Sequence, residues 1–429
     1  MIALIIYFLL YLSILLIIKT KAKISCNYLI KKGQINMKPR TIKDNIFWLG
    51  AIDWDRRLFD SLIPLPDGTS YNAYLIQGKE KTALLDSVDP AFESTLMTQL
   101  AGIESIDFVI SHHAEQDHSG TIPAVLSKYP KAKVITNPKC KAMLIDHLHI
   151  QDDRFITVDD GQEINLGRYT LRFLYTPWVH WPETMCTYVP ESKILFSCDF
   201  FGSHLASSDL FVTDTSRVYE AAKRYYAEIM MPFRTTVKKN IDKLQTLEIE
   251  IIAPSHGSIY NNPEFILDAY KDWISDMPKN LVVIPYVSMH GSTKKMVEYL
   301  VALLTERGID VQQFELTSTD LGKLAISLVD AATVVLGTPT VHASAHPTAL
   351  YAAILLNSLR PKLKFVSVIG SYGWGSKIIE EITESMGSLK VELLQPVLCK
   401  GYPRQENLDA LKNLAETITL KHKETQLLT

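Results

Sequence analysis

The sequence predicts an α/β protein with two domains in series, an α/β sandwich followed by a doubly wound parallel sheet. Two patterns indicate this class. Short apolar runs rich in β-branched and aromatic residues, which are typical of strands, recur along the chain with helical segments between them. From residue 281 onward, five largely apolar strands alternate with helices, as expected of a parallel sheet covered on both faces.

The first domain is predicted to span residues 37–280. Its predicted strands, in chain order, are NIFWLGAI, NAYLIQG, KTALLDS, DFVISHH, AKVITN, YTLRFLYTP, KILFSCD and EIIAPSHG. Helices are predicted at Phe92–Leu100 and Val218–Ile229. Many of the strands end at a His or an Asp, so polar side chains collect where strands stop. This arrangement predicts an active site at one edge of the sandwich.

The second domain is predicted to span residues 281–429. Its predicted strands are LVVIPYVS, VQQFELT, AATVVLGTPT, KFVSVIGS and VELLQPVL. Helices are predicted at Lys294–Glu306 and Ser376–Met386. In a doubly wound sheet, ligands bind in the crevice at the carboxyl ends of the strands. We therefore expect a ligand site in the loops that follow these strands.

The composition is that of a folded globular protein, with 47% hydrophobic and 21% charged residues. The net charge of −3 gives no basic excess, so nucleic-acid binding is not expected. The cysteines are scattered without a CxxC pair, which argues against a disulfide framework, an appended rubredoxin-type site and a Cys-rich zinc site. They are Cys26, Cys140, Cys186, Cys198 and Cys399. A reducing, cytoplasmic compartment fits this pattern.

Residues 1–36 form an extension with two open interpretations. Residues 1–18 carry no charged side chain, and Lys19, Lys21 and Lys23 follow them. As a helix, the 18 residues would span roughly 27 Å, which suits an anchor that keeps the rest of the chain on the cytoplasmic side. Alternatively, Met37 is the true start, because the codons of Lys31, Lys32 and Gly33 resemble a bacterial ribosome-binding site. Membrane contact is expected only on the first interpretation.

The segment SHHAEQDHSG, directly after the apolar run DFVI, holds several metal-capable side chains on one strand-to-helix loop. Three further candidates lie downstream at the ends of strands. The candidate ligands are His113, Glu115, Asp117, His118, His180, Asp199 and His256. Imidazoles and carboxylates without a thiolate suit iron or manganese better than structural zinc. A purely structural role would leave several ionisable groups together without compensation, at a cost of many kcal/mol.

Three loops of the second domain form a candidate phosphate and ring site. Small hydroxyl residues and a Gly at a helix start offer backbone N–H groups to a phosphate, and an aromatic side chain can cover a flat ring. The first loop contains Ser288, Met289, His290, Gly291, Ser292 and Thr293. The second contains Pro339, Thr340, Val341 and His342, and the third Ser371, Tyr372, Gly373, Trp374 and Gly375. One such loop is often only a helix cap, but three at one sheet edge indicate a site.

The HxExDH segment and the later His, Asp and His resemble the diiron signature of the flavodiiron proteins, or A-type flavoproteins. That family joins a metallo-β-lactamase-like αββα sandwich to a flavodoxin-like domain, and GSYGWG resembles its FMN loop. The resemblance implies that His113, Glu115 and His180 hold one iron and that Asp199 bridges to the other. It implies that Asp117, His118 and His256 hold the second iron, although some members do not use the residue matching His118. His112 lies outside the pattern.

The resemblance further implies that FMN passes electrons to two irons that reduce dioxygen to water, nitric oxide to nitrous oxide, or both. In the family, a head-to-tail homodimer places one subunit's FMN beside the other's irons, and a dimer of dimers is the larger form. Electrons are expected from a separate donor, rubredoxin or a reductase, because no such extension is recognisable here.

One segment departs from the family pattern, and two other functions stay open. Where the family commonly has a His and a Tyr near the irons, this chain reads Phe59-Asp60-Ser61-Leu62. Tyr225 or Tyr226 is a candidate to point into the pocket, against ordinary helix packing. The first alternative is a zinc hydrolase of the metallo-β-lactamase class, which carries His where this chain has Glu115. The second is an FMN electron carrier without diiron catalysis. The sequence does not decide between dioxygen and nitric oxide.

Overall fold

The structure, a computed structural model, describes residues 38–428 and begins with two sheets packed face to face. The first sheet has seven strands, in spatial order Arg40–Lys43, Ile46–Asp53, Thr69–Gln77, Thr82–Leu85, Phe108–Ile110, Lys133–Thr136 and Phe155–Thr157. The second sheet has five strands, Glu163–Asn165, Thr170–Tyr175, Met185–Val189, Ile194–Cys198 and Ile251–Pro254. Each sheet therefore follows chain order, with antiparallel strands at one side and parallel pairs at the other.

Alternation of side chains along the strands produces the layers of the sandwich. Tyr74 and Ile76 belong to the core between the two sheets, whereas Leu75 belongs to the core beneath the helices of the first sheet. These helices are Glu93–Gln99, Ile122–Lys128 and Pro138–Leu148. On the far side of the second sheet lie Thr215–Tyr225, Arg234–Leu244 and Pro263–Trp273. The result is the predicted αββα sandwich.

A third sheet forms the second half of the chain. Its strands lie in the order Asp310–Glu315, Leu281–Tyr286, Thr333–Val341, Phe365–Tyr372, and then Glu392–Leu393 with Val397–Lys400. The short strand Ser344–Ala345 pairs antiparallel with the end of Thr333–Val341. All pairs of the main path are parallel. The helices are Ser292–Thr305, Leu321–Leu328, Pro347–Leu359, Ile378–Ser385 and Gln405–Glu424. Apolar clusters cover both faces, as a doubly wound sheet requires.

Several boundaries differ from the predicted ones. The buried strand Met185–Val189 and three of the four edge strands of the sandwich were not predicted. The fourth edge strand, Ile251–Pro254, lies in the predicted run EIIAPSHG. The fifth strand of the third sheet is split between residues 393 and 397, where Pro396 has no N–H to donate. The predicted helix Val218–Ile229 begins at Thr215, and its final turn, Tyr226–Met230, is a π-helix. The division at residue 280 stays a prediction.

The predicted anchor and the alternative start at Met37 lie outside the described residues. Among residues 38–428, no helix is both long and apolar enough to cross a membrane.

The C-terminal helix is fixed to the third sheet by a buried histidine. His422 Nδ1 lies 2.8 Å from Asn280 Oδ1 and its Nε2 lies 2.8 Å from Thr333 Oγ1. Burial lowers the pKa of His422 to about 4. The ring is therefore neutral in the folded protein at pH values where the unfolded chain, with an ordinary pKa of about 6.5, binds a proton.

We expect acidification from pH 7 to pH 5 to lower the thermal midpoint of the native protein more than that of His422→Gln. The reason is that below about pH 6.5 the unfolded state binds a proton that folded His422 does not, so stability falls with pH. Thermal denaturation followed by circular dichroism at both pH values measures the difference. The exposed residue His149 provides the control, since His149→Asn should keep the native response. Equal responses in all three proteins would contradict the assignment.

Candidate metal centre and cofactor pocket

The seven predicted metal ligands lie together in two groups. Ligand atoms of His113, Glu115, His180 and Asp199 all lie within 4.8 Å of one another, as do those of Asp117, His118 and His256. Asp199 lies between the groups. Its Oδ2 is 3.4 Å from His180 Nε2, and its Oδ1 is 3.0 Å from His118 Nε2 and 3.3 Å from that of His256. One carboxylate thus faces both groups, as a bridging ligand would.

The ends of strands from both sheets position these groups. His113 and Glu115 lie in the loop after Phe108–Ile110, and Asp117 and His118 lie in the short helix Gln116–Ser119 that follows it. Asp199 follows the strand Ile194–Cys198, and His256 follows the parallel strand Ile251–Pro254. The two sheets meet at this edge, which confirms the predicted position of polar side chains at strand ends.

The centre lacks the internal partners that buried polar groups normally have. Both carboxylate oxygens of Asp117, both ring nitrogens of His118 and Oδ1 of Asp199 are buried without a hydrogen-bond partner in the described part of the chain. Leaving such groups unpaired costs about 1–3 kcal/mol each, and more when they are charged. Oxygen and imidazole ligands around a shared carboxylate fit a pair of iron ions. The unpartnered atoms therefore mark a place for metal.

The charges of the centre act strongly on one another. Burial lowers the pKa of His180, but hydrogen bonds to Asp199 and Glu115 outweigh it and raise the value to about 9. For His256, burial is likewise outweighed by Asp117 and Asp199, which raise its pKa to about 10. Burial alone would raise the pKa of the Asp199 carboxyl, but the surrounding imidazoles hold it well below its usual value. Such perturbed values are characteristic of functional sites.

A second layer of groups orients the ligands. Glu183 Oε1 lies 2.7 Å from His113 Nδ1 and accepts a bond of 3.1 Å from the Ala114 N–H. The Ser70 carbonyl lies 2.7 Å from His256 Nδ1. In both rings Nδ1 is engaged, so Nε2 is directed to the centre. Glu183 was not predicted, because its contact with His113 joins residues 70 positions apart in the sequence.

Further buried side chains surround the centre. His112 is outside it, with Nδ1 2.6 Å from Asp86 and Nε2 2.7 Å from Thr187 Oγ1. His204, which was not predicted, lies 2.9 Å from Thr69 Oγ1 through Nδ1, whereas its Nε2 has no partner within residues 38–428. The ring of His204 is 4.9 Å from that of His256.

The two candidate tyrosines differ in position. The Tyr225 ring is 4.8 Å from the His204 ring, and burial together with the Asp199 carboxylate raises the pKa of Tyr225. Tyr226 packs instead against Tyr270 and Trp273 in the core.

A thiol that the predicted ligand set did not contain lies close to the centre. The sulfur of Cys198 is within 4.8 Å of ligand atoms of His118 and Asp199.

A cavity of about 350 Å³ opens onto the centre. Its lining is formed by Arg56, Phe59, Asp60, Asp89, Glu115, Gln116, Asp117, His147 and Trp181. Phe59 and Asp60 belong to the departure noted in the sequence, at the tip of a small hairpin between Leu58–Phe59 and Ile63–Pro64. The loop of this hairpin has three residues, Asp60 to Leu62, and Asp60 and Ser61 have φ of 49° and 54°. Burial and the Glu115 charge raise the pKa of Asp60.

A second cavity, of about 300 Å³, lies at the carboxyl edge of the third sheet. Its lining residues are Ser288, Met289, His290, Ser292, Thr293, Pro339, Thr340, Ser371, Tyr372, Gly373, Trp374 and Gly401. Of the predicted residues, Gly291, Val341, His342 and Gly375 do not line it, and Gly401 was not predicted. Gly291, with φ of 85°, makes the left-handed turn into the helix Ser292–Thr305. Hydroxyl groups at a helix start suit a phosphate, and Trp374, 86% exposed, suits a ring at the rim.

Comparison with known proteins identifies a matching family, a relative and similar structures. Residues 69–257 match the family described as "ODP family beta lactamase". The nitric oxide reductase of Moorella thermoacetica is 35% identical over 396 residues, covering 90% of this chain and 99% of the relative. The structure of rubredoxin oxygen:oxidoreductase from Desulfovibrio gigas has a TM-score of 0.86 at 30% identity, covering 91% of this chain and all of that one. The Giardia intestinalis flavodiiron protein has a TM-score of 0.83 at 25% identity, covering 92% and 99%. The chain belongs to the flavodiiron family.

Proposed function

We propose that this protein reduces dioxygen, nitric oxide, or both at a two-iron site, with electrons supplied by bound FMN. The observation that carries the proposal is the position of Asp199, which faces two groups of three further ligands in one buried centre. The names of two relatives, a nitric oxide reductase and a rubredoxin oxygen:oxidoreductase, support both substrates.

The ligands divide as the two groups do. His113, Glu115 and His180 would hold one iron, and Asp117, His118 and His256 the other, with Asp199 between them. An iron pair held there would supply the redox chemistry that dioxygen or nitric oxide reduction requires. Glu115, in place of the His of the zinc hydrolases, adds negative charge, which favours iron and argues against a hydrolase.

The protein's own groups prepare the centre for that chemistry. Glu183 keeps the His113 ring in one orientation, and the Ser70 carbonyl does the same for His256. The Tyr225 hydroxyl keeps its proton at neutral pH, as a phenol ordinarily does, and burial together with Asp199 raises its pKa further. It is therefore suited to donate a hydrogen bond to a reduced substrate atom. Phe59 and Trp181 narrow the cavity and limit access of bulk water.

FMN would occupy the cavity at the edge of the third sheet. Ser288, Ser292 and Thr293, with the helix N-terminus behind them, would bind its phosphate. Tyr372 and Trp374 would contact the flavin ring. When bound, FMN accepts electron pairs and releases them singly.

The active form is proposed to be a head-to-tail homodimer, or a dimer of two such dimers. Trp374 and Met289, 86% and 49% exposed, stand at the FMN cavity, while Trp54 and Leu62, 53% and 60% exposed, lie in the segment beside the metal cavity. Exposed apolar residues at both sites suit a contact between subunits. The separate donor, rubredoxin or a reductase, and the cytoplasmic location stay predictions.

Metal and gas measurements test the function. The purified protein, analysed without oxygen, should contain about two irons and one FMN per chain. After reduction by dithionite, stopped-flow mixing with dioxygen and with nitric oxide should reoxidise it rapidly, and the faster gas identifies the preferred substrate. Zinc in place of iron would favour the hydrolase. Flavin that reoxidises equally fast with and without metal would favour the electron carrier.

Glu183→Gln should weaken Fe(II) binding by about 10- to 100-fold, because a neutral amide polarises the His113 ring less than a carboxylate does. Anaerobic competition with a coloured chelator measures the affinity. Glu163→Gln, a change at an exposed strand residue of the same sandwich, is the matched control and should leave it unchanged. Identical Fe(II) affinities for the two variants would show that Glu183 does not support metal binding.

Co-expression of two inactive variants tests the dimer. Asp199→Asn removes the shared carboxylate, and Ser292→Glu places a negative charge where the phosphate would bind. A mixed head-to-tail dimer contains one intact FMN beside one intact metal centre, so co-expressed chains carrying different affinity tags should regain activity when purified through both tags. Each variant alone serves as the control. A mixed dimer as inactive as either parent would reject transfer between subunits.

A further inference from the structure

A row of tyrosine and tryptophan rings leads from the metal centre toward the surface. It is formed by Tyr225, Tyr270, Tyr226, Trp273 and Tyr219, on the helical run that begins at Thr215 and on the helix Pro263–Trp273. The first four are buried, and Tyr219 is half-buried at the outer end. None of them is among the proposed ligands of either site.

The rings of this row are in close contact. The ring centroids of Tyr270 and Trp273 are 5.1 Å apart, and those of Trp273 and Tyr219 are 5.4 Å apart. Tyr226 lies beside the row, 5.4 Å from each of Tyr270 and Trp273. At the outer end, Trp273 Nε1 donates a hydrogen bond of 3.2 Å to the Tyr219 hydroxyl. The contacts are continuous from Tyr270 to the half-buried phenol.

The inner end of the row lies beside the metal centre. The centroid of the Tyr225 ring is 5.9 Å from that of His256, one of the proposed ligands. Phe200 and Phe201, the two residues after Asp199, place their rings 5.7 Å and 4.9 Å from the Tyr270 ring.

The chemistry of the row goes beyond packing. Tyrosine and tryptophan are the aromatic side chains that give up one electron most readily, whereas phenylalanine does not. Phe and Leu fill a core well when only apolar volume is needed. Tyr and Trp bring hydroxyl and indole N–H groups into the core that need hydrogen-bond partners there. Here the oxidisable rings follow one another, and the last of them meets solvent.

We propose that this row protects the metal centre by carrying oxidising equivalents to the surface when dioxygen arrives before enough electrons do. This function rests on the proposed dioxygen chemistry. It is distinct from the delivery of electrons by FMN, because it operates when the flavin has none to give. The ligands of a site that reacts with dioxygen without its full complement of electrons are otherwise the nearest groups to be oxidised.

Each transfer balances. One electron passes from Trp273 across the Tyr270 ring to the oxidant at the centre, and the Trp273 N–H stays hydrogen-bonded to the Tyr219 hydroxyl. An electron from Tyr219 refills Trp273, and the Tyr219 phenol releases its proton to solvent. A thiolate in solution then reduces the Tyr219 phenoxyl radical, which takes back a proton. The net result is one thiolate oxidised to a thiyl radical, two of which combine to a disulfide, for each electron gained at the centre.

The test uses the full chain loaded with iron and FMN. It is given fewer electrons than one turnover needs, mixed with dioxygen, and frozen at intervals for electron paramagnetic resonance. The native protein should show a ring radical whose spectrum narrows when tyrosine carries ring deuterium. Peptide mass spectrometry should locate oxidation at Tyr219 and Trp273, and a small thiol should suppress it. Absence of any ring radical, with oxidation confined to the metal ligands, would overturn the proposal.

Tyr219→Phe keeps the ring and removes only the oxidisable phenol. It should lose oxidation at residue 219, shift it inward to Trp273 and Tyr270, and inactivate several-fold sooner under electron-poor turnover. Tyr299→Phe, at another half-buried tyrosine on a helix, is the matched control and should behave as the native protein. If Tyr219→Phe matches that control in both the oxidation map and the lifetime, the row is only packing. If the native protein does not consume dioxygen, the proposed dioxygen reduction is rejected, and the protective role is rejected with it.

Discussion

Compensation of buried charge is the constraint on which the rest of the structure depends. Four imidazoles and three carboxylates meet at one edge of the sandwich, and Asp199 lies within 3.6 Å of ring nitrogens from four of them. Burial by itself would oppose every one of these charges, so each depends on its opposite neighbours and on metal for the atoms left unpartnered. The two sheets must therefore end at the same edge, and the loops between strands must hold a fixed length and direction.

Much of the fold and of the site could be predicted because their signals are local. An apolar strand that ends in HHAEQDH places its polar residues at a strand end whatever the rest of the chain does. The alternation of strands and helices after residue 281 likewise determines a parallel sheet, and with it the edge where three loops meet. The family resemblance then supplied the pairing of ligands, which spacing alone does not give.

The features that were missed depend on contacts between distant parts of the chain. Glu183 is recognisable as an orienting group only once its carboxylate lies against His113, 70 residues earlier. His204 is recognisable as part of the site only because its ring lies beside that of His256. Neither contact leaves a pattern in the sequence. The strand Met185–Val189 was missed because its residues, MCTYV, do not alternate between apolar and polar side chains. Both of its faces are buried, with Met185 and Val189 in the core between the sheets and Cys186 and Tyr188 in the core beneath the helices.

The apolar cluster that covers the outer face of the second sheet continues without a break onto one face of the third. Leu195 and Tyr226 belong to it, and so do Val283 and Leu328. Arg224, held by Asp320 at 2.7 and 3.0 Å, closes one side of this shared surface. A chain cut near residue 280 would therefore expose apolar side chains that the third sheet covers in the full protein. The isolated sandwich is expected to be less soluble than the full chain for that reason.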